Sequence, residues 1–180
     1  RYMILLHNSL WSSFFSTRDH ILCGKALENY QLPEDPVFIV GHWRTGSTFL
    51  HHLLALDESL CAPTLYQTAL PEAFITARPW YAPIMRRFVG KYRPFDEVKA
   101  GIDEPQECEF ALFRMSTDSP LERVLFSRTH DYFLLQDVPL IPQGERGKRW
   151  EQAMQTFYRK LSWHSNNRLV LKNPFHSMRI

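Results

Sequence analysis

Between Gly41 and Thr48 the chain reads Gly-His-Trp-Arg-Thr-Gly-Ser-Thr. Two glycines separated by four residues and followed by two hydroxyl side chains form the skeleton of an anion cradle. Small residues let backbone N–H groups converge on the anion, and the helix that follows presents its positive end. In nucleotide-hydrolysing loops of this shape a lysine follows the second glycine. Here Ser47 stands in that place, and the cation of the loop is Arg44. The usual lysine reaches the β- and γ-phosphates while the next hydroxyl holds Mg²⁺. Without it, metal-assisted nucleotide hydrolysis loses its support. An arginine still neutralises a terminal anionic group and its bridging oxygen. The loop therefore predicts a phosphate-like ligand held by Arg44, Thr45, Gly46, Ser47 and Thr48.

A second cation, Lys172, follows the apolar run Leu169-Val170-Leu171. Candidate proton acceptors are His176, four residues beyond Lys172, and the carboxylates Glu107 and Glu109. Residues two apart do not share a helix face, so at most one of the two glutamates is expected to point into a site. His51 and His52 follow the loop on its helix and are read as structural.

These groups need elements to hold them. Val37-Phe38-Ile39-Val40 is a β-branched and aromatic run that reads as a buried strand. From Thr48 the apolar residues Leu50, Leu53 and Leu54 share one face of a helix. Arg168 to Leu171 reads as a second strand, with Lys172-Asn173-Pro174 leaving its C-terminal end. In an open parallel sheet, ligands sit at the carboxyl ends of strands, so the two loops are expected to face one site. Before Arg168, residues 147–164 place Trp150, Met154, Phe157, Tyr158 and Leu161 at helical spacings, and Asn166-Asn167 ends that helix.

The flanking and intervening stretches are less regular. Residues 1–30 predict one or two amphipathic helices through Leu6, Leu10, Phe14, Phe15, Leu22 and Leu27. The uncharged run from Tyr2 to Thr17 is too short and too polar to span a bilayer. It lacks the cleavage site of a signal peptide. A helix packed on the domain is expected, with peripheral contact to a membrane surface as the alternative. Residues 57–145 hold nine of the twelve prolines. Short helices are expected around Pro79 and Pro83, and a helix over 104–115 with Pro105 and Glu107 in its first turn. Residues 121–126 and 131–135 read as strand or helix. Such an irregular, aromatic insert is where an acceptor pocket is built.

Composition bounds the function classes. With 180 residues, 44% hydrophobic and 22% charged, the chain suits one domain with a real core. A net charge of +2 does not point to nucleic acid. Cys23, Cys61 and Cys108 are odd in number and lack metal-ligand spacing. They predict buried, reduced thiols and a reducing, cytoplasmic setting.

Three segments together carry a resemblance. The stretch from Phe38 to Leu50 resembles the 5′-phosphosulfate loop of sulfotransferases that use 3′-phosphoadenosine 5′-phosphosulfate (PAPS). It is most similar to the diverse branch whose loop reads Gly-x-Pro-Arg-Ser-Gly-Thr-Thr, with Trp43 here for Pro, Thr45 for Ser and Ser47 for Thr. Glu104-Pro105-Gln106-Glu107-Cys108-Glu109-Phe110-Ala111-Leu112 is similar to that branch's Pro-x-Glu-x-Glu-Phe-Ala-Leu segment. Leu169 to His176 is similar to its Val-Leu-Lys-Ser-Pro-x-His segment, with Asn173 for Ser.

The resemblance implies an α/β, P-loop-like three-layer fold with a central parallel sheet, incomplete in this chain. It divides the chain into a helical segment at 1–36 and, at 37–180, the N-terminal part of a single α/β domain with its acceptor-side insert at about 57–145. It implies PAPS as co-substrate without a metal, and a small-molecule or carbohydrate-like hydroxyl acceptor. It places Arg44 and Lys172 at the reacting group, with Arg44, Thr45, Gly46, Ser47, Thr48 and Lys172 binding the donor. In cytosolic relatives a histidine sits two residues after the matching lysine. That position here is Pro174, which leaves His176, Glu107 and Glu109 as competing bases. The residues for the donor's 3′-phosphate are expected beyond Ile180, so an N-terminal fragment of a longer protein is expected. Two other readings stay open: a nucleotide-binding small-molecule kinase with a degenerate P-loop, and a non-catalytic binding module.

Overall fold

A computed structural model of the protein describes residues 2–92, 98–122 and 143–178. Within them the elements run α1 (Tyr2–Asn29), β1 (Val37–Ile39), α2 (Ser47–Leu54), β2 (Leu60–Cys61), α3 (Leu65–Ala69), α4 (Arg78–Phe88), α5 (Glu109–Ser116), α6 (Gly144–Ser165) and β3 (Arg168–Lys172). A 3-10 turn at Pro174–Met178 follows β3.

The three strands are parallel, in the order β1-β3-β2. Val37, Phe38 and Ile39 pair with Val170, Leu171 and Lys172, and Leu60 and Cys61 pair with Arg168 and Leu169. The last strand in sequence is thus inserted between the first two. Its position explains its composition. Leu169, Val170 and Leu171 are at most 3% exposed, the continuous apolar run demanded of a parallel strand covered on both faces. On one face Leu169 and Leu171 join a core with Phe157, Tyr158 and Leu161 of α6 and Ala111 of α5. On the other lies α2, where Thr48 meets Lys172 and His51 hydrogen-bonds to the Val170 backbone. The sheet therefore lies between α2 and the α5–α6 pair, three layers in all.

β1 departs from the buried strand expected of it. Only Ile39 is buried, while Phe38 and Val40 are each 48% exposed. Among the described residues β1 lies at the end of the strand order, so its side chains alternate in and out. The helix after the loop departs in the same sense. Leu50 and Leu53 remain nearly half exposed, and the residue α2 turns fully inward is His51. Burial holds the His51 imidazole down to a pKa of about 4, so it sits in the interior neutral.

The N-terminal region is one helix of 28 residues, not two. It is fixed to the core by a buried ion pair, Asp19 with Lys160 of α6 at 2.7 Å. The Asp19 carboxylate also accepts from the backbone N–H groups of Ile75 and Thr76 and from the Thr76 hydroxyl. Lys160 donates to the carbonyls of Pro71 and Glu72 and lies over the Phe74 ring. Burial pulls the Lys160 ammonium downward against the pull of Asp19. A charge pair so fully hydrogen-bonded meets the condition for keeping both ions in an interior.

Boundaries in the insert shifted for identifiable reasons. Residues 78–88 form one helix, with Pro79 in its first turn and Pro83 inside it. The helix continues past Pro83 because Ala82, Met85 and Val89 pack against the main core. α5 begins at Glu109, not 104, because the backbone ahead of it is already bonded elsewhere. Leu65 and Tyr66 donate to the carbonyls of Glu104 and Ile102, and Gln106 donates to that of Pro63. α6 begins at Gly144 and closes at Asn166, whose left-handed φ of 58° caps it where the sequence predicted. Of the two stretches read as strand or helix, 131–135 and all of 121–126 but Leu121 and Glu122 lie outside the described residues. No helix of the described residues is long and apolar enough to cross a membrane.

Candidate active site

The loop from Val40 to Gly46 leaves the C-terminal end of β1 and enters α2 through a left-handed residue. Gly46 is the N-cap, with φ of 80°. A Cβ there would meet nothing within 4 Å. The glycine is therefore required by backbone conformation and not by space. Arg44 also has a positive φ, 65°. A non-glycine residue held in that region inside a ligand-type loop is the kind of strain that clusters at functional sites. The Thr45 hydroxyl closes the turn by donating to the His42 carbonyl at 2.7 Å. That bond ties Thr45 Oγ1 to loop closure.

The loop is braced by the turn that follows the neighbouring strand, β3. The Gly41 N–H donates to Ser177 Oγ at 2.8 Å, and the Trp43 ring stands edge-on to Phe175 at 5.6 Å. Both partners lie in the 3-10 turn after β3. Parallel pairing sets Ile39 beside Lys172, so the two strand ends open side by side, as expected of the carboxyl ends of two parallel strands.

Lys172 is 5% exposed. Its ammonium contacts the Glu107 carboxylate and lies 3.5 Å from Thr48 Oγ1. A cleft of about 470 Å³ is bounded here by Arg44, Ser47, Thr48, Glu107 and Lys172, with Trp43, Phe49 and Val98 on its apolar side. The cleft thus gathers two cations, two hydroxyls, one carboxylate and the start of a helix. The first N–H groups of α2 have no acceptor within the helix and are available to an anion.

The other predicted bases lie elsewhere. Glu109 is 0% exposed, takes a hydrogen bond from Ser119 Oγ at 2.6 Å and contacts Asn173 Nδ2. It welds α5 to the residue after Lys172. Of the i, i+2 pair, Glu107 alone lines the cleft. His176 is 8% exposed, with Nε2 3.4 Å from Cys108 Sγ and its ring edge-on to Phe38. Tyr158 donates its hydroxyl to the same sulfur. This polar knot sits within the core and outside the cleft lining. Of the two histidines read as structural, His51 is buried at 1% exposure, and His52 lines a second cavity.

That cavity, about 650 Å³, was not foreseen as a discrete chamber. It shares Phe49 and Val98 with the cleft and extends along Leu53, Leu56 and Leu60. Its polar lining includes Thr64, Gln67, Lys99 and Ser165, together with His52, whose Nδ1 lies 3.3 Å from Glu104 Oε2. Its far wall includes Asp103, clamped by Arg78 at 2.5 Å and Arg86 at 3.0 Å. Partial burial works to raise the Asp103 pKa, but the two guanidinium groups outweigh it and hold the carboxyl below its ordinary value. The exposed apolar stripe of α2 was the sequence signal for this wall. Its periodicity was legible, but the cavity behind it was not.

Comparison with known proteins bears on this geometry. The family model described as "Sulfotransferase family" matches residues 36–180. The chain is 31% identical over 173 residues to the omega-hydroxy-beta-dihydromenaquinone-9 sulfotransferases of Mycobacterium bovis and Mycobacterium tuberculosis. Those alignments take in 96% of this chain and 44% of the relatives, so the chain spans less than half the length of the curated relatives it matches. Among solved structures, a sulfotransferase from Mycobacterium tuberculosis shares the fold, with a TM-score of 0.55 at 18% identity over 96% of this chain and 47% of that one.

Proposed function

We propose, for a chain that belongs to the sulfotransferase family, that the protein of which these residues form part transfers a sulfuryl group from PAPS to the hydroxyl of an apolar acceptor. The observation that carries this reading is the convergence of Arg44, Thr48, Lys172 and Glu107 on one cleft that adjoins an apolar chamber.

Bound PAPS supplies an activated sulfuryl group on a phosphate leaving group. The backbone N–H groups of Ser47 and Thr48 at the start of α2 hold the 5′-phosphate. Arg44 and Lys172 face the bridging oxygen, where negative charge grows as the bond from sulfur to that oxygen breaks. By analogy with phosphoryl transfer, cations placed there in advance supply most of the stabilisation. The acceptor oxygen forms the new bond to sulfur, and its proton passes to Glu107. The products are a sulfate ester and adenosine 3′,5′-bisphosphate. Glu107 fits the role of base better than His176 or Glu109, because it alone of the three lines the cleft. The knot of His176, Cys108 and Tyr158 acts instead as a support for the turn that carries Ser177 and Phe175.

The wall of Phe49, Leu53, Leu56 and Leu60 favours an apolar alcohol over a carbohydrate. The mycobacterial relatives carry a menaquinone-derived substrate in their names, which agrees with that choice. Calorimetric titration of the whole protein with adenosine 3′,5′-bisphosphate, and separately with ATP and Mg²⁺, tests the donor assignment. Binding of the bisphosphate alone is expected. Preferential binding of ATP would return the loop to the kinase reading, and binding without turnover of any alcohol would leave a binding module.

A further inference from the structure

We propose that Glu109 is a positioning residue for the donor site, acting through Asn173 to fix Lys172 and to brace the anion loop. The role presupposes the sulfuryl-transfer reading of the cleft and concerns what holds its parts in place. Lys172 ends β3 and Glu109 begins α5. At that junction two contacts run side by side. Lys172 meets Glu107, and Asn173 Nδ2 donates to Glu109. The first contact lies in the cleft. The second is closed off, with Glu109 and Asn173 both 0% exposed. Carboxylates two positions apart point different ways. One short segment thus serves the reacting centre with one side chain and its support with the other.

The orientation of Asn173 follows from its neighbours. The Phe175 N–H donates to Asn173 Oδ1 at 3.0 Å. A backbone N–H can only donate, so the amide oxygen faces Phe175 and the amide nitrogen faces Glu109. The Asn173 carbonyl accepts from the His176 N–H at 3.0 Å. Asn173 therefore opens the 3-10 turn whose Ser177 and Phe175 brace Gly41 and Trp43. Behind Glu109, Ser119 Oγ accepts from the Leu121 N–H at 3.1 Å and donates its proton to the carboxylate at 2.6 Å. A connected path runs from Ser119 through Glu109 and Asn173 to both halves of the cleft.

The ladder between β1 and β3 ends at the Ile39–Lys172 pair. Beyond it strand pairing no longer holds the chain, and the side-chain bonds of Asn173 take over. Packing alone would favour an apolar residue at position 109, because burying a carboxylate is costly. Directional bonds locate a group more narrowly than apolar contact does. A displacement of about 1 Å at a catalytic group costs about 10²-fold in rate. A residue that touches neither ligand nor reacting atoms can therefore govern the site. Glu109 does not line the cleft, so it acts through Asn173 and not as a base.

The test is calorimetric binding of adenosine 3′,5′-bisphosphate to the whole protein. Glu109→Gln and Asn173→Asp each leave a buried group of the pair unmatched, and each is expected to weaken binding about tenfold. The two together exchange carboxylate and amide: the amide at position 109 donates to the carboxylate at position 173, which still accepts from the Phe175 N–H. Binding should then return to within about threefold of the parent. The exchange would also restore a purely structural contact, so two further readouts separate the cases. Phe157→Leu, a core truncation outside the cleft lining, should lower the thermal midpoint and leave affinity unchanged. In Lys172→Ala, adding Glu109→Gln should cost at most about threefold. The full loss repeated there, unchanged affinity in the single variants, no recovery in the double variant, or weakened binding by Phe157→Leu would overturn the role. A parent that does not bind the bisphosphate would sink the donor reading itself, and the role with it. If a single variant does not fold, Ser119→Ala removes only the bond behind Glu109 and should weaken binding about threefold. Unchanged affinity there would equally overturn the role.

Discussion

Lys172 and Glu107 form an ion pair at the inner end of the cleft, joining the last residue of β3 to the turn that precedes α5. The pair puts the cation proposed for the leaving group and the base proposed for the acceptor in direct contact. Their contributions to turnover are therefore expected to be coupled. Glu107→Gln should lower kcat by about 10²–10⁴ while leaving adenosine 3′,5′-bisphosphate affinity within a fewfold, since general base catalysis is worth roughly that much. Lys172→Ala should lower both. In a double-mutant cycle the two losses should fall well short of additive. Full additivity would separate the residues and remove the pair from the mechanism.

Arg44 is the loop's own cation and carries a strained backbone. Arg44→Ala is expected to reduce kcat/KM by about 10²–10³, the scale of one transition-state charge contact. It should weaken bisphosphate binding as well. Arg44→Lys keeps the charge but not the planar fork, and should recover only part of the loss. Wild-type kinetics in Arg44→Ala would exclude the arginine from the reacting centre.

Gly46 tests the backbone requirement apart from the chemistry. Since a Cβ would strike nothing, the cost of Gly46→Ala is conformational and should be about 1–2 kcal/mol. Gly46→Asn should cost less, because asparagine tolerates a left-handed φ. Denaturant unfolding measures the ranking, and equal stability for the two variants would contradict the geometry.

Much of this site is legible in the sequence because its order along the chain is the order of a strand, a loop and a helix. Gly46, Arg44 and Thr48 lie in the loop the glycine spacing marks, and Lys172 at the strand end the apolar run predicts. The choice between Glu107 and Glu109 is not legible, because it depends on where α5 starts. That start is set by backbone bonds from residues 63–66 to residues 102–106, a pairing across some forty positions that no local pattern announces. The edge position of β1 is hidden for a similar reason. Val37 to Val40 has the composition of a buried strand, and only its neighbours decide how many of its faces are covered.

His51 makes the stability of the fold depend on acid. Its folded pKa of about 4 lies below the ordinary 6.5 because burial penalises the charged form. Its contribution is therefore fully present above pH 6.5 and is lost as pH falls towards 4, where the unfolded chain binds a proton that the native state refuses. The loss over that window is about 3 kcal/mol. His164, also depressed by burial, pulls in the same direction. Urea unfolding at pH 7 and pH 4.5 should show the decline, and His51→Gln should flatten it while lowering stability at pH 7. An unchanged slope in the variant would place the acid sensitivity elsewhere.

The Asp19–Lys160 pair predicts the strength of the α1 attachment. Removing one ion leaves the other buried and uncompensated, at a cost of about 3–5 kcal/mol. Lys160→Met should therefore destabilise the protein strongly. The double replacement Asp19→Leu with Lys160→Met should recover part of the loss, as read by thermal unfolding.

The register of β1 on β3 has one more effect. It fixes Ile39 opposite Lys172 by main-chain hydrogen bonds, whose spacing of about 4.8 Å is the same for any pair of residues. The separation between the anion loop and its distant lysine is thus independent of which apolar side chains fill the layers around them. Core residues can therefore be exchanged without changing that separation. The chamber wall along Leu53, Leu56 and Leu60 is under no such constraint, so substitutions there are free to alter which alcohol the proposed transfer uses without moving the two strand ends.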